Sequence, residues 1–355
     1  MKAIRPWTPY IVLVLILAIG GGYGWYRMSD TAKGWRYEES LKSFCEGLIP
    51  YEESAGYTGL DGSRLSADYR AGGSEGDFDS CTVAGFDLTI ARVPDSTLKS
   101  FDGNDAFDRL DEVPGDSPPI PLGGGWRGYT DLVNTAVVLN CDNKAGSVFV
   151  TANDDDVDDL DDTYDASDSE RARGIAELVA ATAVNAAEEW DCDAKAGSRI
   201  PRLPAPAERT SPYAPKGTCA GIRLHDQEYV HWIQDAPASG TAPLERCVLG
   251  ETKAEAVHLF EFEAAFGPFA QRLRSDDPDV GTYRRGAGGA KGSYWASAQC
   301  PGDGPRALFR VDPTQYVHID GGSVDEFARD ALATFAERRA EQHGCTDLTL
   351  PPASS

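Results

Sequence analysis

The chain has 355 residues, of which 41% are hydrophobic, and its 33 Lys and Arg stand against 57 Asp and Glu for a net charge of −24. Such a balance repels nucleic acid and anionic lipid headgroups, which argues against nucleic-acid binding. The length allows two ordinary domains. The charge is uneven: +4 over residues 1–36, −23 over 37–200 and −5 over 201–355.

Tyr10 to Tyr26 carries no charge, and Ile11 to Ile19 is almost purely aliphatic. Such a run is just long enough to span a bilayer core. Lys2 and Arg5 precede it, and Trp7, Tyr10, Tyr23, Trp25 and Tyr26 bracket it. Short basic flanks stay cytoplasmic and aromatic residues favour the interface. This predicts a cytoplasmic tail over 1–9, a transmembrane signal anchor over 10–26, a juxtamembrane stem over 27–36 and an extracytoplasmic body. The alternative is a cleaved signal peptide with Ala18 and Gly20 before the cut. The run of hydrophobic and aromatic residues on to Tyr26 favours the anchor. Either way the body is exported.

All eight cysteines follow the apolar run. An even number in an exported chain predicts disulfides. Cys45 opens "CEGLIP", Cys81 lies in "DSCTVAG", and Phe86 to Val93 alternates like a strand. A glycine cluster, Leu122 to Trp126, precedes "TAVVLNC", a five-residue turn and "SVFVTA", which together read as a hairpin closing at Cys141. Ser167-Asp168-Ser169-Glu170 fits a capping box. Beyond it Ile175, Leu178, Val179, Thr182 and Ala186 share a helical face that runs toward Cys192.

The proline-rich stretch 195–215 lacks periodicity and reads as a semi-extended linker. The same order then recurs. Cys219 opens "CAGIRL", Cys247 lies in "ERCVLGE", and Ala256 to Ala264 alternates. Arg284 to Gly292 is glycine-rich, "SYWASAQC" and "RALFRV" form a hairpin at Cys300, and a Ser323-to-Glu326 box opens a helix ending at Cys345. Its inward face is Val324, Phe327, Ala331, Leu332 and Phe335. The fold class that follows is α+β. Two tandem related domains, 37–194 and 216–350, each carry a mainly antiparallel sheet and a long C-terminal helix, after one N-terminal transmembrane helix. Four cysteines per domain allow three pairings. First with second and third with fourth is favoured, giving Cys45–Cys81, Cys141–Cys192, Cys219–Cys247 and Cys300–Cys345.

Chemistry is harder to read. Ten acids fall between Asp154 and Glu170. Asp154, Asp155, Asp156, Asp158 and Asp159 are the candidates for a weak Ca²⁺ site, since oxygen-rich loops suit that ion. The EF-hand glycine is missing, and a solvated, self-repelling loop explains the acids equally well. Asp102, Asp105, Asp108, Asp111 and Glu112 form a second cluster of the same kind. His225, His231, His258, His318 and His343 show no zinc spacing. His343 reads as an end charge on its helix and His258 as a structural strand residue. Nucleophile elbow, phosphate loop and dinucleotide fingerprint are absent from the sequence. With so many acids, a carboxylate pair for glycoside cleavage carries no specificity. Trp126 and Trp295 either line a groove or sit in the core.

The "CEGLIP" opening, the strand cysteine and the cysteine-terminated helix resemble uncharacterised exported proteins of actinobacteria, streptomycetes in particular. The Ala/Gly/Asp/Arg-rich composition is similar as well. The resemblance implies an envelope location and disulfide-held α+β domains, and carries no active site with it. The expected function is a non-enzymatic, membrane-anchored extracytoplasmic binding or sensing protein whose partner is an envelope protein or a cationic ligand. The alternatives are an envelope hydrolase using acidic residues of the first domain, and a structural spacer.

Overall fold

Apolar alternation broken by tight turns builds two sheets. The computed structural model describes residues 12–13, 29–73, 76–94, 117–154, 166–224, 229–251, 257–275, 286–301, 304–314 and 322–352. The first sheet contains β1 (Leu65–Gly73), β2 (Gly76–Val83), β3 (Phe86–Val93), β4 (Ile120–Pro121), β5 (Gly128–Thr130), β6 (Asn134–Asn140) and β7 (Ser147–Asp154). They lie antiparallel in the order β1-β2-β3-β7-β6-β5-β4. The second contains β8 (Trp232–Asp235), β9 (Leu244–Gly250), β10 (His258–Ala265), β11 (Gly288–Ala290), β12 (Ser293–Gln299) and β13 (Ala307–Pro313). Its order is β8-β9-β10-β13-β12-β11, and β14 (Thr346–Thr349) also pairs with β12. Both sheets run three strands in chain order and then return in reverse, but the first carries β4 as an extra edge strand and the second carries β14 on β12. In each, two hairpins meet along a long-range central pair, β3 with β7 and β10 with β13.

Among the described residues there are also five α-helices: α1 (Asp30–Leu41), α2 (Tyr51–Thr58), α3 (Ala166–Glu189), α4 (Pro268–Ser275) and α5 (Gly322–Gln342). The period-2 rule assigns each strand two faces. On the first sheet Leu88, Ile90, Val137, Leu139, Val148 and Val150 pack under Ile175, Leu178, Val179 and Ala183 of α3. On the second, Phe260, Phe262, Ala296 and Phe309 pack under Phe327, Leu332 and Phe335 of α5. The opposite faces meet each other. Phe78, Ala91, Val138 and Phe149 share a cluster with Leu244, Ala265, Leu308 and with Phe269 and Ala270 of α4. Helix, sheet, sheet and helix therefore form four layers. Tyr129 stacks edge-on to Phe269, and Gln271 donates to the Pro94 carbonyl at 2.9 Å across the seam.

The helix ends explain why both long helices stop at a thiol. At the end of α3 the Cys192 N–H reaches the Ala187 carbonyl at 2.8 Å and the Asp191 N–H reaches Glu188 at 3.1 Å. At the end of α5 the Cys345 N–H reaches Ala340 at 2.8 Å and Gly344 reaches Glu341 at 3.1 Å. Both are Schellman motifs. The left-handed residue is Asp191 (φ 53°) in one and Gly344 (φ 66°) in the other. The following cysteine then points back to its hairpin. The disulfides are Cys45–Cys81, Cys141–Cys192, Cys219–Cys247 and Cys300–Cys345, so each half holds its own two. Four disulfides mark an oxidising, extracellular environment. A non-glycine residue in the left-handed region costs about 1 kcal/mol. Asp191→Gly is therefore expected to raise the melting temperature, and Gly344→Ala, whose added Cβ meets only the Pro301 side chain at an ordinary 3.8 Å, to lower stability by about 1 kcal/mol. Differential scanning calorimetry measures both.

Several boundaries differ from the sequence reading. The anchor expected over 10–26 lies outside the described residues apart from Val12 and Leu13, and no described helix is long and apolar enough to cross a membrane. The stem expected over 27–36 instead enters α1, capped by Ser29, and its Tyr37 and Leu41 are buried in the first core. The helices begin at Ala166 and Gly322, one residue before each capping box. At the second, Asp325 bonds the β11–β12 turn, accepting from the Gly292 N–H at 2.8 Å and the Tyr294 hydroxyl at 2.7 Å. The stretch 195–215 is a strap rather than a free joint. Ile200 and Leu203 enter the first core. Thr210 pairs with Ile233 beside β8, Gln234 donates to the Ala207 carbonyl at 2.7 Å, and the Arg209 guanidinium sits 5.0 Å from the Trp232 ring. Composition favours a linker because prolines dominate; two apolar anchors and one backbone pair fix it in place.

Candidate functional site

Strand β10 reads His-Leu-Phe-Glu-Phe-Glu-Ala-Ala. With Phe260 and Phe262 buried under α5, alternation sends Glu261 and Glu263 to the other face. Register then supplies their neighbours. Glu263 lies opposite Arg246 on β9 and Arg310 on β13. Both guanidinia reach its Oε2, Arg246 Nε at 3.4 Å and Arg310 Nη2 at 3.3 Å. Trp295 continues this row on β12, its ring lying across Gly288 on β11. The row adjoins the apolar row Leu244, Ala265 and Leu308 that packs on the first sheet. In the next row Glu261 lies opposite Asp312. His258 Nδ1 comes within 2.9 Å of Glu261 Oε1, and its ring packs edge-on against Trp232. The result is a ladder of charge on one sheet face, with a tryptophan at either side.

The ladder sets its members' proton affinities in opposite directions. Burial pushes Glu263 up, but Arg310 and Arg246 outweigh it and hold its carboxyl below the usual 4.5. The hydrogen bond from His258 leads in holding Glu261 below that value, against its own burial. Asp312, by contrast, is raised above 3.8 by burial, which Arg310 offsets only in part. A lowered carboxyl contributes stability that is present above its unfolded value and lost as pH falls through its folded one. A raised carboxyl contributes most below its unfolded value and loses that contribution as pH rises toward the folded one. Chemical denaturation as a function of pH should therefore show a shallower acid loss for Glu263→Gln between about pH 5 and pH 2. Asp312→Asn should compare better with the parent chain at pH 7 than at pH 3.

A second buried cluster lies on the other face of the same sheet. Glu245 of β9 takes Arg339 Nη1 of α5 at 3.2 Å and the Ser239 N–H at 2.9 Å. His343 Nε2 lies 3.6 Å from it, the imidazole stacked 3.7 Å above Phe266. His343, expected as an end charge on its helix, is thus turned inward. Its position two residues before a closing cysteine carried no signal of that, because the partner carboxylate is nearly a hundred residues away.

Of the residues expected to carry chemistry, Asp155, Asp156, Asp158 and Asp159 lie outside the described residues, and Asp154 ends β7. The acids from Asp102 to Glu112, with His225 and His318, lie outside them too. Among the described residues no three His, Cys, Asp or Glu side chains gather as a metal site. Trp126 belongs to the first core and donates its indole N–H to the Ser198 carbonyl. Two open depressions lie among the described residues. One of about 430 Å³ sits beside the Cys141–Cys192 bridge and includes Asp142, Glu188 and Lys195. The other, about 400 Å³, is lined by Glu52, Glu53, Tyr57 and Glu177. Neither includes the ladder. The alternation in "HLFEFEAA" was legible and marked Glu261 and Glu263 as face-sharing; their arginine partners needed the register. Comparison with protein-family models, with curated proteins and with solved structures returns no match.

Proposed function

We propose that this protein is a membrane-anchored, extracytoplasmic binding or sensing protein of the cell envelope, built by doubling a module of about 150 residues. The observation that carries this reading is the locking of two disulfide-bound halves into one body. Their sheets share a central strand pattern, they meet through a common apolar cluster, and the 195–215 strap crosses from one to the other. Two matched surfaces held at fixed spacing suit a partner that presents two matched sites, because the second contact is then intramolecular. The uncharged run from Tyr10 to Tyr26 supplies the anchor. The charged ladder, open at Arg310, Glu261 and Asp312, supplies a recognition surface with both signs of charge.

A photoreactive amino acid at position 310 in intact cells, with mass spectrometry of the crosslinked species, tests the reading. One recurrent envelope neighbour, lost in an Arg246→Glu background, is the expected result. A crosslinking pattern indistinguishable from that of a probe on the far side of α5 removes it. A second reading, an envelope hydrolase, draws on one observation: Glu261 and Asp312 face each other across neighbouring strands, Glu261 held below its ordinary value and Asp312 raised above its own. Turnover of an envelope polymer abolished by Asp312→Asn and by Glu261→Gln would support it.

A further inference from the structure

Two arginines come together at the end of the second sheet nearest α4. Arg274, in the last turn of α4, and Arg306, just before β13, are both half-buried. Arg274 donates from Nη1 to the Ala270 carbonyl and from Nη2 to the Ala307 carbonyl, each at 3.2 Å. Arg306 donates from Nε to Ser297 Oγ at 3.1 Å, and from Nη2 to the carbonyls of Ser297 and Asp347. Every acceptor is a neutral oxygen. No carboxylate pairs with either guanidinium among the described residues. This happens in a chain whose acids outnumber its bases by 57 to 33. The two are close enough to repel: burial first, then the Arg306 charge, lowers Arg274 to about 10.

Two neighbouring cations half-removed from water and fixed by backbone carbonyls are a poor arrangement unless something negative completes them. We infer that Arg274 and Arg306 form a binding site for a phosphate-class oxyanion, the free ion or a phosphate monoester. Inventory and geometry support it. A guanidinium carries five N–H donors in a rigid fork. Arg274 spends two and Arg306 three on the carbonyl and hydroxyl contacts. Among the described residues, five donors therefore stay available between them, including both on Arg306 Nη1. A dianion neutralises both charges at once, which a single carboxylate does not. The carbonyls of Ala307 and Ser297 hold both forks in place before any ligand arrives, so little ordering is left to do on binding. The inference is independent of the membrane anchor and of the charged ladder. It adds a ligand class to a surface that neither uses.

The test is calorimetric titration of the full chain in detergent at pH 7.5, with ionic strength held by sodium chloride. Inorganic phosphate and glycerol 3-phosphate are the two probes. The expected result is saturable 1:1 binding, weakened tenfold or more by Arg274→Gln and by Arg306→Gln and less by Arg306→Lys, which keeps the charge and loses the fork. Tighter binding of the ester assigns a monoester ligand; tighter binding of the inorganic ion assigns free phosphate. No saturable heat from either probe, or binding unchanged in Arg306→Gln, overturns the site. Arg306→Lys and the far-UV spectrum of each variant separate a lost site from a lost fold.

Discussion

Glu245→Ala is expected to lower the unfolding free energy by about 3–5 kcal/mol, among the largest single-residue effects in the protein. Glu245 and Arg339 have side chains only 1% and 4% exposed, in the layer between the second sheet and α5. Removing the carboxylate leaves a buried guanidinium whose Nε already has no hydrogen-bond partner, and strips the Ser239 N–H of its acceptor. Removing both charges is a different matter, because the desolvation cost of an ion pair nearly cancels its attraction. The double variant Glu245→Leu/Arg339→Leu should therefore recover most of the loss. Urea denaturation of the two single variants and the double one, treated as a mutant cycle, measures the coupling. Additive losses would show that the pair does not hold α5 to β9.

The second large effect concerns the bridges. Replacing Cys141 and Cys192 together by alanine is expected to cost about 4 kcal/mol, from the chain entropy released by opening a 51-residue loop. That entropy grows only logarithmically with loop length, so the loops of 28, 36 and 45 residues differ from it by about 0.5 kcal/mol or less. Access distinguishes them far better. Cys45, Cys81, Cys219 and Cys247 are essentially fully buried, whereas Cys141 and Cys345 are partly open to solvent. Mild reductant should open Cys141–Cys192 and Cys300–Cys345 first. Timed alkylation with peptide mass mapping reads the order, and a reversed order would mean that local unfolding rather than surface access governs reduction.

Much of the fold was legible because it is local. The stretch from Phe86 to Val93 alternates, and it is β3 to the residue. Both cysteine-closed hairpins and the inward faces of α3 and α5 followed from periods of two and 3.6. The short elements were not legible. β8 and β14 have four residues each, too few to show a period, and their pairing partners lie elsewhere in the chain. The candidate site was half visible. "HLFEFEAA" announces Glu261 and Glu263 on one face, but nothing in "ERCVLGE" or "RALFRVD" says that Arg246 and Arg310 will flank Glu263.

The sequence by itself determined the two halves, their hairpins, their long helices and the order of their cysteines, since these depend on spacing within a few dozen residues. Only the tertiary structure decided that the halves pack sheet to sheet, that the proline-rich stretch straps them together, and that Glu245 meets Arg339. It alone brought Arg274 and Arg306 together, with no carboxylate paired to either among the described residues. These outcomes rest on the register of β3 with β7 and β10 with β13, and on the burial of Phe149 against Leu308's side of the second sheet. Such contacts join residues far apart in the chain, where hydrophobic burial and charge pairing are settled by the whole assembly and leave no local period to read.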